Sequence, residues 1–235
     1  MNLSTSLICT DLCNVTKDLD ILVDNGITWF HADFMDGHFV PRYGISPELI
    51  QSLRKRYGEN ITIDSHLMVS DPYTYAHVIA PYSDWYIFHY EAVTDPMRTL
   101  QMLRKTYPTL KIGLAFNLGT PSLIVENVIN SLTDVYIDGV MFMGISPGVL
   151  GTISMPNNVI NKLNCINKLN KETGFDIKTF IDGSVNFKTL PEYKKLNCYT
   201  AVCGSSTIFK IDENTSNLSR EDMINYNINR ISEVI

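Results

Sequence analysis

The sequence predicts a single (β/α)8 TIM barrel spanning residues 1–235, and three observations carry that prediction. Apolar, strand-like runs alternate with helical patterns from end to end. The strand runs number eight and are almost continuously apolar, as parallel strands covered by helices should be. No Pro/Gly/Ser-rich linker divides the 235 residues, a length at which such barrels commonly sit. A doubly wound open sheet is the rival, and no Gly-x-Gly-x-x-Gly follows an early strand to support it.

The predicted strands are 4–8, 28–35, 61–69, 85–90, 111–117, 139–145, 177–182 and 201–203. Helical spacing follows several of them. Leu49, Ile50, Leu53 and Tyr57 recur after Pro47, a good first-turn residue, and Val159, Leu163 and Ile166 recur after Pro156. The last helix carries Ile224, Ile228, Ile231 and Ile235, with Ser219 and Asp222 forming its capping box. Gly26, Gly58 and Gly174 stand where helices should stop.

Composition narrows the function. Hydrophobic residues make up 45% and charged residues 19%, enough for a full core. A net charge of −6 argues against nucleic acid, whose binding draws on Lys and Arg at phosphates. A small anion can still be held by backbone N–H groups, which the charge count does not register. Cys9, Cys13, Cys165, Cys198 and Cys203 are odd in number and form no Cys-x-x-Cys pair, so reduced thiols in a cytoplasm are expected. The first six residues do not read as a signal peptide, and no apolar run has the length of a membrane span.

Barrel enzymes place their chemistry at the carboxyl ends of the strands, so polar residues there carry the most weight. Strand two ends in His31-Ala32-Asp33, and alternation along a strand points both polar side chains the same way. With His66 and Asp182 from strands three and seven they make a two-histidine, two-carboxylate site for one divalent metal ion. Zinc, manganese and ferrous iron all suit that mix. Any one of these histidines alone reads better as a packed, hydrogen-bonded side chain, whereas matching strand ends favour a site. His89, Glu91 and Asn117 also stand at strand ends. Asp182-Gly183-Ser184 and Cys203-Gly204-Ser205-Ser206 follow strands seven and eight, where barrels often cradle phosphate. The bland reading of these glycines is a tight turn.

These residues resemble the ribulose-phosphate 3-epimerase family over nearly the whole chain. The match runs through His31 to Pro41, His66-Leu67-Met68-Val69, His89-Tyr90-Glu91 and Asn117-Leu118-Gly119-Thr120-Pro121, then Pro147-Gly148, Asp182-Gly183 and Gly204-Ser205. The resemblance implies a ribulose-phosphate-binding barrel with His31, Asp33, His66 and Asp182 on the metal, and with Asp33 and Asp182 as the acid/base pair. It implies that Ser6 and His66 approach the substrate, together with Gly148, Gly151, Asp182, Gly183, Ser184, Gly204 and Ser205. Met35, Met68 and Met143 match a set of methionines beneath the reacting carbons, a role compatible with ordinary barrel core. The expected reaction moves the C3 proton of a ketose phosphate through a metal-stabilised enediolate, most simply from D-ribulose 5-phosphate to D-xylulose 5-phosphate. The expected partners are a small sugar phosphate and further copies of the chain in a homo-oligomer, with no nucleic acid and no membrane.

Three positions depart from the family's usual pattern. The loop after strand six is Gly148-Val149-Leu150-Gly151-Thr152, lacking one glycine and an aromatic. The usual Asn after Phe-Val-Pro is Arg42, and the usual second glycine after Asp182 is Ser184. Ser184, and residues 6–12 at the first strand, resemble the branch that epimerises D-allulose 6-phosphate. Arg42 is therefore a candidate specificity residue, with D-allulose 6-phosphate or another ketose phosphate as the alternative substrate. A non-catalytic sugar-phosphate-binding homologue is the alternative of another class, and retention of all four polar residues argues against it. A barrel hydrolase fits the proline-glycine and methionine motifs least.

Overall fold

A computed structural model describes residues 1–132, 135–148 and 156–235. Its strands are β1 (Asn2–Ser6), β2 (Trp29–Met35), β3 (Thr62–Met68), β4 (Trp85–His89), β5 (Lys111–Phe116), β6 (Gly139–Met143), β7 (Lys178–Asp182) and β8 (Thr200–Cys203). Each pairs in parallel with its sequence neighbours, and β8 returns to β1 to close the barrel. The helices are α1 (Val15–Asp24), α2 (Pro47–Tyr57), α3 (Pro72–Ile79), α4 (Pro96–Thr106), α5 (Ser122–Asn130), α6 (Pro156–Thr173), α7 (Leu190–Lys195) and α8 (Arg220–Val234). The predicted (β/α)8 barrel is thus the observed fold.

The local signals act where expected. Pro47 opens α2, and the Ser219 hydroxyl accepts from the Asp222 amide at the start of α8. Gly26 and Gly58 follow α1 and α2 at φ of 78° and 58°, conformations that cost glycine little. One boundary moves. The first strand ends at Ser6, and residues Leu7–Cys9 form a short 3-10 helix. The Thr10 hydroxyl closes that turn by donating to the Leu7 carbonyl at 2.7 Å, a pairing that apolar periodicity does not reveal.

Strand alternation separates two cores. Outward residues such as Phe30, Leu67, Phe88, Phe116 and Ile181 pack under the helices against Leu22, Leu53, Leu103, Leu163 and Ile224. Inward, Trp85, Ile87, Ala115, Met141 and Phe180 fill the lower barrel, with Trp29 and Tyr199 against them. Gly139 makes room for this plug: a Cβ there would stand 3.0 Å from the Trp85 ring and 2.9 Å from the Lys178 carbonyl. These side chains fill the barrel interior toward its amino-terminal end, and His31, Asp33, His66, His89 and Asp182 stand toward the other end.

Candidate active site

Register decides which polar side chains meet. In the β2–β3 ladder His31 lies beside Asp64, Asp33 beside His66 and Met35 beside Met68; in the β6–β7 ladder Met143 lies beside Asp182. Four atoms converge from this arrangement: His31 Nε2, Asp33 Oδ1, His66 Nδ1 and Asp182 Oδ2. Asp33 Oδ1 is 3.1 Å from His31 Nε2 and 3.2 Å from His66 Nδ1, while Asp182 Oδ2 is 3.8 and 3.4 Å from the same nitrogens. All four residues can offer ligand atoms within 4.8 Å of one another. A tetrahedral ion with bonds of about 2.0–2.1 Å spaces its donors about 3.3–3.4 Å apart. The group therefore fits one divalent ion in both chemistry and spacing.

Burial and charge are strongly coupled here. His31 and His66 are fully buried and Asp33 is nearly so. Burial by itself would raise the Asp33 carboxyl, but the charge and hydrogen bonds of His31 and His66 outweigh it and hold it far below the carboxylate range. Burial would likewise lower His31, and Asp33 and Asp64 reverse that, keeping its proton well above the usual imidazole range. The second Asp33 oxygen accepts from Ser6 Oγ at 3.2 Å.

Two supporting groups went unassigned in the sequence. Asp64, buried at the end of the Ser4 hydroxyl, holds His31 Nδ1 and so turns Nε2 toward the cluster. Its signal was present, because Asp64 precedes His66 by two residues and therefore shares its face. On the far side His66 Nε2 is 2.9 Å from His89 Nε2, and His89 Nδ1 is 3.5 Å from Glu91 Oε2. Burial pushes His89 down to about 4, against the pull of Glu91, so this imidazole is neutral at neutral pH.

Above the cluster opens a cavity of about 320 Å³. Met35, Met68 and Met143 line it with Asp33 and Asp182, and Ser6, Gly148, Gly183, Ser184, Gly204, Ser205 and Arg42 surround it. Arg42 is half-buried and is the only lysine or arginine among the described lining residues. Gly151, with the rest of residues 149–155, lies outside the described residues. The glycine turns are sterically required. At Gly183, with φ of 80°, a Cβ would meet Ile145 Cγ1 at 2.5 Å; at Gly148, with φ of 68°, it would meet Val40 Cβ at 2.7 Å. Ser184 follows at φ of 59°, unusual for a residue with a side chain, and its hydroxyl donates to the Gly144 carbonyl at 2.7 Å. Its side chain thus braces the exit of β7 against that of β6. Cys9 also lines the cavity, a neighbour that sequence spacing did not single out.

Fold and site together describe a barrel whose carboxyl rim, the end where barrel enzymes place their chemistry, gathers paired carboxylates and imidazoles. The sequence pattern of the ribulose-phosphate 3 epimerase family matches residues 2–209, and the chain belongs to that family. The ribulose-phosphate 3-epimerase of Escherichia coli K12 is 30% identical over 225 residues, covering 93% of this chain and 96% of that protein. The enzyme of the same name from Eremothecium gossypii is 27% identical over 234 residues, covering 95% and 90%. The chain is accordingly an isomerase of the carbohydrate-epimerase class. Among solved structures, the phosphoribosyl anthranilate isomerase of Thermus thermophilus superposes with a TM-score of 0.65 at 14% identity over 100% of both chains, a likeness of fold alone. No helix among the described residues is long and apolar enough to cross a membrane.

Proposed function

We propose that this chain epimerises a ketose phosphate at C3, taking D-ribulose 5-phosphate to D-xylulose 5-phosphate. The observation that carries this reading is the convergence of Asp33 and Asp182 on one methionine-floored cavity from β2 and β7, strands three steps apart around the barrel. Epimerisation needs a base on one face of C3 and an acid on the other, and two carboxylates entering from separated strands meet that need. The proton leaves C3 because the neighbouring C2 ketone can accept its electron pair as an enediolate. Asp33, whose Oδ2 is oriented by Ser6, takes or returns the proton on one side and Asp182 on the other. The thioether floor excludes water and so favours transfer between carboxylate and carbon over exchange with solvent. His31 Nε2, Asp33 Oδ1, His66 Nδ1 and Asp182 Oδ2 would hold one ion of zinc, manganese or ferrous iron, which when bound supplies Lewis-acid stabilisation of developing negative charge. Backbone N–H groups of the turns after β7 and β8, at Gly183-Ser184 and Gly204-Ser205, take the phosphate.

A second reading is a longer ketose phosphate such as D-allulose 6-phosphate. Arg42 favours it, because a fixed cation at the cavity edge can meet a phosphate or hydroxyl farther from C3. One experiment separates these readings. Metal-loaded protein given pentulose, hexulose and heptulose phosphates in D2O should place deuterium at C3, and the absence of exchange with all of them would overturn the epimerase reading. Asp33→Asn and Asp182→Asn should each lower kcat by about 10²–10⁴-fold at matched metal content. Arg42→Ala should reduce kcat/KM unequally across the three sugars; an equal loss on each would remove its role in specificity.

A further inference from the structure

We infer that Glu91 and His89 form a positioning relay that keeps the remaining proton of His66 on Nε2 and so makes Nδ1 its ligating atom. The inference rests on the ion-holding reading of the site and assigns roles to the buried His89 and the half-buried Glu91, which the proposed reaction leaves unused.

Donors and acceptors along the chain of contacts leave one consistent arrangement. Glu91 Oε1 accepts from the Asn117 backbone N–H at 2.9 Å and from the Thr120 hydroxyl. A backbone amide can only donate, so this end of Glu91 is an acceptor. The other oxygen, Oε2, is buried and stands 3.5 Å from His89 Nδ1, and among the described residues each of these two atoms lacks any hydrogen-bond partner but the other within reach. The carboxylate therefore calls for a hydrogen on His89 Nδ1. A neutral imidazole carries only one, so His89 Nε2 presents a lone pair. The atom facing it at 2.9 Å is His66 Nε2, which must donate. When His66 holds a single proton, that proton is then on Nε2, and the Nδ1 lone pair points to Asp33 Oδ1 at 3.2 Å and Asp182 Oδ2 at 3.4 Å.

The two histidines of the cluster are thus held in opposite senses. Asp64 grips His31 by Nδ1 and frees Nε2, whereas the relay grips His66 by Nε2 and frees Nδ1. The His66 and His89 ring planes lie within 28° of each other with centroids 5.0 Å apart, so the relay fixes ring position as well as tautomer. Lys162 secures its far end. Its ammonium donates to the Asn117 carbonyl at 2.7 Å and to the Leu118 carbonyl at 3.2 Å, which holds in place the peptide whose neighbouring N–H binds Glu91.

Zinc binding to the folded protein tests this without reference to turnover. His89→Leu deletes the acceptor, and chelator competition should show Zn2+ affinity reduced by about 10–100-fold. His89→Gln, whose amide oxygen can accept from His66 Nε2–H, should restore most of that loss. Glu91→Gln, a milder change for folding, should fall between them. In the wild-type zinc form, nitrogen-edited NMR should place the His66 proton on Nε2 and the metal on Nδ1. Wild-type zinc affinity in His89→Leu, or a His66 proton on Nδ1 in the wild-type zinc form, would overturn the relay alone. A wild-type protein that binds no Zn2+ would overturn the ion-holding reading, and the relay with it.

Discussion

At Gly204 a hydrogen stands where any other residue would carry a carbon, and the reason lies almost two hundred residues away. A Cβ built there would come within 2.9 Å of Cys9 Sγ, while Cys9 Cβ itself is 3.8 Å off. Sequence reading marks Gly204 as a turn residue but cannot name its neighbour, because the contact joins the exit of β1 to the exit of β8 only once the barrel closes. Gly204→Ala should therefore lose about 1–3 kcal/mol of stability, the usual range for overpacking a filled site. Adding Cys9→Ala removes the offending sulfur and should restore most of it. Urea titrations of the two single variants and the double variant check this through their coupling energy, and losses that simply add would discard the contact as the cause. The four cluster residues were legible for a different reason. His31, Asp33, His66 and Asp182 are short-range features of strand ends, whereas the groups that orient them, Asp64 apart, depend on register between strands. The strained φ of Ser184 belongs to the same illegible class, since a serine at that position is readable only as polar and small.

At the scale of elements, apolar runs and end signals placed every strand and the helices they addressed, because parallel strands and their covering helices each carry a local pattern. Loops carry none, and there the chain relies on side-chain bonds that no periodicity announces. Asp36 is the clearest case. Just past β2, its Oδ1 accepts from the His38 and Phe39 amides at 2.8 and 2.9 Å, and its Oδ2 accepts from the Ser70 amide and hydroxyl at 2.8 and 2.7 Å. One carboxylate thus ties the loop after β2, which carries Arg42, to the exit of β3. Burial would raise this carboxyl, but its four donors prevail and hold it at about 2. A folded-state value below the unfolded one makes its contribution complete above about pH 4, and that contribution falls away as acid protonates the folded carboxylate. Asp36→Ala should cost about 1.5–3 kcal/mol at pH 7. The gap between variant and wild type should narrow between about pH 4 and pH 2 in denaturation curves. A gap that stays constant across that window would show that shape, and not charge, is what Asp36 supplies.

For the whole molecule the two ends of the barrel do opposite work. The amino-terminal end is plugged by Trp29, Trp85, Phe180 and Tyr199, whose rings meet edge to face at centroid distances of 4.7–6.2 Å, save the Trp85–Tyr199 pair, which is tilted at 52°. The carboxyl-terminal end gathers charge that such a plug could never bury alone. An ion held there would be gripped by β2, β3 and β7 together, so unfolding of any of these strands must release it. Binding to the folded state alone adds RT ln(1 + [ion]/Kd), about 2.7 kcal/mol at a hundredfold excess over Kd. At about 2–4 °C per kcal/mol for a chain of this size, the melting temperature should rise by about 5–10 °C on loading with zinc or manganese and fall back on chelation. His31→Ala removes one ligand and should lose most of that shift, while Arg42→Ala, at the cavity edge, should keep it. The comparison of the two variants matters more than the size of the shift. Ions that adhere loosely to an acidic surface would stabilise both alike, whereas an ion held by His31, Asp33, His66 and Asp182 must distinguish them. A melting temperature indifferent to metal, or an equal shift in both variants, would mean that this cluster does not hold the ion.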